Sequence, residues 1–220
     1  MTPLDATSFV QQLEALKVER LTPIVDAGRT SLSGGAPGDA KKLLQVALNN
    51  EISVSEVAAT WMQTTPEIDV KLALARQAGD EAGHFRLVAE RLWALGFDIA
   101  EFKMPRESPL FQYLKGLSST VERVAAGLFT LESVAYAVNE TFMAFCAQQG
   151  DVETVRIYRD YIQPDERAHQ ELGQQLLAKY ATTSELQQTA RETVARLLDI
   201  VGAGRLQAAE RMGTACFPGC

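Results

Sequence analysis

Both histidines of this chain, His84 and His169, stand three residues after a glutamate that itself follows an aspartate: Asp80-Glu81-Ala82-Gly83-His84 and Asp165-Glu166-Arg167-Ala168-His169. On a helix, positions i and i+3 share a face, so each Glu-His pair aims two polar heads at one spot. That spot lies on an apolar stripe in both cases. The first stripe reads Val70, Leu74, Gln77, Glu81, His84, Val88 and Leu92; the second reads Tyr158, Ile162, Glu166, His169 and Leu176. Each pentapeptide follows a long segment with a glutamate on its own stripe, Glu51 before Glu81 and Glu132 before Glu166, at separations of 30 and 34 residues. Charged heads on inward faces are costly unless something compensates them. Four carboxylates and two imidazoles around two divalent cations provide that compensation. The pattern therefore calls for four helices facing one another around a dinuclear site.

The rest of the chain agrees with an all-helical fold. Thirty residues are alanine, a strong helix former, and apolar residues recur at three- and four-residue intervals with no strictly alternating run. Prolines and glycines collect at joints, among them Ser33-Gly34-Gly35-Ala36-Pro37-Gly38 and Pro105 to Pro109. Between them we expect four long helices over 39–64, 66–95, 119–149 and 151–180. Flanking helices are expected over about 5–29 and 184–212, with the whole of 1–220 forming one domain and the metal-binding bundle spanning about 39–180. Asp39, Pro66, Asp151 and Ser184 suit helix starts, and Pro164 should kink or split the fourth long helix.

Composition narrows the function. The 28 acidic against 21 basic residues leave a net charge of −7, which disfavours a nucleic-acid partner. No apolar run reaches membrane-spanning length, and no basic stretch followed by an apolar one opens the chain. With three cysteines, an odd number, a reduced cytoplasmic protein is the expectation.

A single Glu-x-x-His is ordinarily a solvated helix pair; two copies that use every histidine are the informative feature. Carboxylates with imidazoles suit iron or manganese, as an Fe/Fe or Mn/Fe pair, and paired metals bridged by glutamate suit oxygen chemistry. Glu56 competes with Glu51, and Glu140 with Glu132, but face and spacing favour Glu51 and Glu132. Asp80 and Asp165 can accept the second ring N–H of a ligating histidine. Tyr136, Tyr158 and Tyr161 are candidates for phenols near the metals, although a core tyrosine with a satisfied hydroxyl is commoner. Cys146 reads as a small buried hydrophobe. Cys216 and Cys220 sit in a short Gly/Pro tail that reads as frayed and dispensable for metal loading.

This constellation resembles the ferritin-like di-iron carboxylate superfamily, and its Asp-Glu-x-x-His units look like the Asp-Glu-x-Arg-His motifs of the oxygenase and ribonucleotide-reductase branch. Gly83 and Ala168 stand where that motif often has arginine, a departure that touches the network around the ligands. In size and flanking helices the chain is similar to phenylacetyl-CoA oxygenase-type and other small ferritin-like oxygenases. The resemblance covers about 39–180 and implies Glu51, Glu81, His84, Glu132, Glu166 and His169 as ligands of two iron ions, with Glu81 and Glu166 bridging. It implies an enzyme that uses O2 and an external electron donor to oxidise a small organic molecule; the alternative is a ferroxidase that handles iron. Two tail thiols cannot form the four-thiolate relay of rubrerythrins. A small homo-oligomer, monomer to tetramer, is expected.

Overall fold

The computed structural model describes residues 2–33 and 39–219. The glycine-rich joint at 34–38 and Cys220 lie outside the described residues. Helix α1 (Ala6–Ser33) is followed by a hairpin of α2 (Ala40–Thr64) and α3 (Ile68–Ala94). A crossover carries a short 3-10 turn (Ile99–Glu101) and α4 (Pro109–Gly116) to a second hairpin. Its first arm is α5 (Thr120–Val124), a π turn (Ala125–Leu131) and α6 (Glu132–Gln148), which run on as one rod. Its second arm is α7 (Val152–Ile157), another π turn (Tyr158–Ile162) and α8 (Gln163–Tyr180). Helix α9 (Ser184–Met212) follows, and among the described residues there is no strand.

Local chemistry explains the boundaries. Asp39 accepts from the Lys41 amide, Asp151 from Thr154, and Ser119 with Glu122 forms a reciprocal capping box. The last helix is capped by Thr183 rather than opened by Ser184 itself, and Pro66 stands just outside α3, whose cap position is Glu67. The turn between α6 and α7 uses Gly150 at φ 75°, where a side chain would be strained.

The two hairpins pack face to face as a four-helix bundle. Contacts between α3 and the second arm run in opposite senses, from Asp69 with Lys179 to Arg91 with Asp151, so these neighbours are antiparallel. Helices α1 and α9 lie outside the bundle and run parallel: Leu4 meets Gln187, Gln12 meets Arg191, Arg20 meets Asp199 and Ser31 meets Thr214. None of the described helices is long and apolar enough to cross a membrane.

The kink expected at Pro164 takes the form of the π turn ending two residues earlier. Proline cannot supply an amide to the ladder, and a widened turn absorbs the missing bond. The other π turn, ending at Leu131, has no proline. Its loosened carbonyls are taken by hydroxyls, Thr130 Oγ1 donating to Ala125 O at 2.6 Å and Ser133 Oγ to Phe129 O at 2.6 Å. The fully buried Lys17 of α1 then donates to Ser133 Oγ at 2.7 Å, with Glu14 as its counter-ion and the Phe129 ring beneath it. Burial lowers the Lys17 pKa. Gly173 of α8 presses on this same turn: a Cβ there would lie 2.7–2.9 Å from the backbone of Leu128 and Phe129.

Candidate metal centre

Each arm of the two hairpins brings one glutamate inward, and α3 and α8 add a histidine each. Glu51 (α2), Glu81 and His84 (α3), Glu132 (α6), and Glu166 and His169 (α8) are all buried. They form two overlapping groups, Glu51–Glu81–His84–Glu166 and Glu81–Glu132–Glu166–His169, whose donor atoms lie within 4.8 Å of one another. Glu81 and Glu166 belong to both. His84 Nδ1 is 3.5 Å from Glu51 Oε2, 3.5 Å from Glu81 Oε2 and 3.9 Å from Glu166 Oε1. His169 Nδ1 is 3.5 Å from Glu132 Oε1 and 3.8 Å from Glu81 Oε1. The two Nδ1 atoms and both oxygens of Glu51 make no hydrogen bond despite their burial, a donor arrangement that fits cations rather than protein partners.

The aspartates act across the bundle. His84 Nε2 faces Asp165 Oδ2 at 3.4 Å, and His169 Nε2 faces Asp80 Oδ2 at 2.9 Å. Each motif thus supplies the carboxylate that orients the other motif's ring, leaving Nδ1 turned to the interior. Arg76 joins the two: its Nε donates to Asp80 Oδ2 at 3.2 Å and its Nη2 lies 4.0 Å from Asp165 Oδ1. Arg76, one turn before Asp80, thereby lies beside both aspartates.

The electrostatics record crowded like charges. Burial and the neighbouring carboxylates push Glu81 and Glu166 well above the usual range. Burial opposes charging of His84, but Asp165, Glu51 and Glu81 outweigh it and hold the ring well above its ordinary pKa. For His169 burial is likewise outweighed, chiefly by Glu132, and the pKa stands at about 9. Hydrogen bonding to His84 holds Asp165 low. These are groups whose protons two divalent cations would displace.

The alternatives sort by exposure. Glu56 is exposed on α2; Glu140 is exposed on α6 and accepts from Gln163 Nε2 at 2.7 Å. Neither joins the cluster. Tyr161 is 47% exposed and its hydroxyl meets Arg156, so it belongs to the surface, and Tyr136 is only half-buried. Tyr158 is the tyrosine that reaches the interior: its hydroxyl has no hydrogen-bond partner, and burial with the nearby charge of Glu51 raises its pKa well above the ordinary value.

Sequence reasoning missed three contributors. Gln77 Nε2 donates to Glu132 Oε1; its place on the α3 stripe one turn before Glu81 was the available signal. Asn139 is buried, one face-repeat after Glu132. The third is the tail, which is not frayed. Residues 214–219 are buried, Gly219 N donates to Asn139 Oδ1 at 3.0 Å, and Arg205 donates to the carbonyls of Ala215 and Phe217. Gly219, at φ 83°, lies so close to the cluster that a Cβ there would be 2.8 Å from Glu51 Oε1. Cys146 and Cys216 are buried free thiols, and burial pushes them up to about 12 and about 11, which makes them inert packing groups at neutral pH.

The sequence matches no family model and no curated protein. A solved structure, a domain of unknown function with a heme oxygenase-like fold from Shewanella denitrificans OS217, is similar with a TM-score of 0.67 at 16% identity. The match covers 96% of this chain and 97% of that one. The likeness concerns the fold alone, and the all-helical architecture agrees with it.

Proposed function

We propose that this protein is a di-iron carboxylate oxidoreductase that activates O2 to oxidise a small organic molecule. The observation that carries the reading is the pair of donor groups sharing Glu81 and Glu166 inside the bundle. Glu51 and His84 would complete one metal's shell, Glu132 and His169 the other's, with the shared glutamates bridging. Bound there, a redox-active pair supplies the electrons for O2 chemistry; Mn/Fe suits the same donors. The chain's own residues do the rest. Asp165 and Asp80 fix the ring tautomers, Gln77 orients the Glu132 carboxylate, and Tyr158, buried against Phe142 and near the charge of Glu51, keeps its phenolic proton. The buried tail and α1 exclude bulk water from the Glu51 and Glu132 sides.

A porphyrin is not implied by the fold's label. Both histidines are committed to a carboxylate-rich cluster, a donor set for metal ions bound directly by side chains.

The iron-handling alternative uses the same six residues, so the discriminating measurement is what happens after the site fills. With Fe(II) and air, uptake should stop near about two irons per chain, and an external reductant should restore reactivity. Continued mineralisation, to hundreds of irons per assembly, would establish the ferroxidase instead.

A further inference from the structure

The segment after α9 touches the candidate metal centre with bare backbone. A Cβ on Gly219 would stand 2.8 Å from Glu51 Oε1 and 3.2 Å from Ala47 Cα, so no side chain separates the tail from a cluster glutamate. The six cluster residues themselves come from α2, α3, α6 and α8. A helix cannot step aside without breaking its own i→i−4 ladder. Irregular backbone can.

Side chains hold the tail in place. Ser31 Oγ accepts from Ala215 N at 3.0 Å and Asn139 Oδ1 from Gly219 N at 3.0 Å. Arg205 donates to the carbonyls of Ala215 and Phe217 at 3.1 and 3.2 Å, and Asn50 Nδ2 donates to Pro218 O at 3.4 Å. Water can stand in for each of these partners, so undocking exchanges hydrogen bonds at small net cost. The burial of Ala215, Cys216 and Phe217 keeps the docked form favoured. A hinge is present where the tail leaves α9: Gly213 caps that helix at φ 74°, and a Cβ there meets nothing within 4 Å.

The polar groups beneath the tail are incompletely paired. Both Glu51 oxygens, Asn139 Nδ2 and the Tyr158 hydroxyl are buried without a hydrogen-bond partner. Asn139 is the residue that Gly219 contacts, and Tyr158 lies near the charge of Glu51. Metal ions account for Glu51, but they leave the Asn139 donor and the Tyr158 hydroxyl unmatched. Buried polar groups are ordinarily paired, so these two call for a partner that the docked tail does not supply.

We propose that residues 214–219 form a gate: the tail swings about Gly213, and its withdrawal opens the Glu51 side of the centre to a small hydrogen-bonding ligand that Asn139 and Tyr158 receive. The ligand's destination rests on the di-metal reading; the motion of the tail does not.

The test locks the gate in the full chain. A Cβ at Gly28 would lie 3.6 Å from the Cys216 Cβ, within the span of a disulfide, so Gly28→Cys should tie the tail to α1 when oxidised and free it when reduced. Peptide mapping identifies the bridge. The probe is azide, a small hydrogen-bond acceptor, mixed with Co(II)-loaded protein and followed by visible absorption, with Co(II) content measured on the same sample. Azide should bind the oxidised variant at least about tenfold more slowly than the reduced one, while the parent responds equally under both conditions. Arg205→Gln, which loosens the clasp on the two carbonyls, should bind azide severalfold faster than the parent. In the metal-free parent, amide hydrogen exchange in 214–219 should run at least about tenfold faster than in 134–142 of α6. Equal azide rates for the oxidised and reduced variant would overturn the proposal, as would an Arg205→Gln rate no faster than the parent's, or tail amides exchanging no faster than those of α6. A parent that takes up no Co(II) would count against the di-metal reading, and the hydrogen-exchange comparison would still decide the gate.

Discussion

At His84 and His169 the two ring nitrogens have separate tasks: Nε2 meets an aspartate from the opposite hairpin and Nδ1 faces the glutamates. Replacing Asp80 or Asp165 by asparagine removes the charge that fixes the ring, and metal affinity should fall about 10- to 100-fold, as read by competition with a chelator. Unchanged affinity in both variants would mean the aspartates are surface charges only. Proton linkage follows from the same groups. Glu81 and Glu166 are held well above the carboxylate range and His169 at about 9, while metal binding needs all of them deprotonated. Affinity for Co(II) should therefore rise with pH and still be rising between about pH 7 and about pH 8; a flat profile there would contradict this electrostatic picture. The convergence of six residues was legible in the sequence because helical spacing puts each on an apolar stripe. Glu51 over Glu56 followed from the more polar stripe around Glu56, and Glu132 over Glu140 from a spacing that matches the first half within four residues. The cross-bundle pairing of the aspartates was not legible, because it depends on how the hairpins are offset, and neither was Arg76, which lies outside the motif.

Among the elements, the long helices were readable to within a few residues from period and caps, while both π turns were not. A π turn adds one residue to a helical repeat, and nothing in Ala125–Leu131 marks where the extra residue goes. Its position is fixed by tertiary contacts, above all Gly173 against Phe129 and Lys17 against Ser133. Gly173→Ala should destabilise the fold by about 1–3 kcal/mol, since the facing atoms are backbone and cannot yield, and should lower metal loading by displacing Glu132. Gly83→Ala is the control: its Cβ meets nothing within 4 Å, so a gain of roughly 0.5–1 kcal/mol is expected from helix propensity. Thermal unfolding of both variants checks this, and equal effects would contradict it. The tail was misread because Gly and Pro in a terminal pentapeptide signal irregular backbone, which is correct, without saying whether it docks. A chain ending at Met212 keeps all six cluster residues, so its metal stoichiometry should hold. It loses the cover over Glu51, so a chelator should strip the metals at least severalfold faster. An unchanged stripping rate would show that the tail does not guard the site.

For the molecule as a whole, the two hairpins supply the same chemistry in duplicate, one Glu and one Glu-x-x-His each, and exchange their supporting aspartates. Each donor group draws on both hairpins, because Glu81 and Glu166 come from different hairpins and belong to both groups. Helices α1 and α9 pack against this bundle from outside, and the buried tail lies beside Glu51. Sizing chromatography should give a monomer-to-tetramer species. The central claim is a dinuclear site at the shared glutamates. The most direct measurement is anomalous diffraction at the iron edge from crystals of iron-loaded protein. Two peaks about 3.5–4 Å apart, flanked by Glu81 and Glu166, with His84 beside one and His169 beside the other, are the predicted result. A single peak, or iron found away from these six side chains, would contradict it.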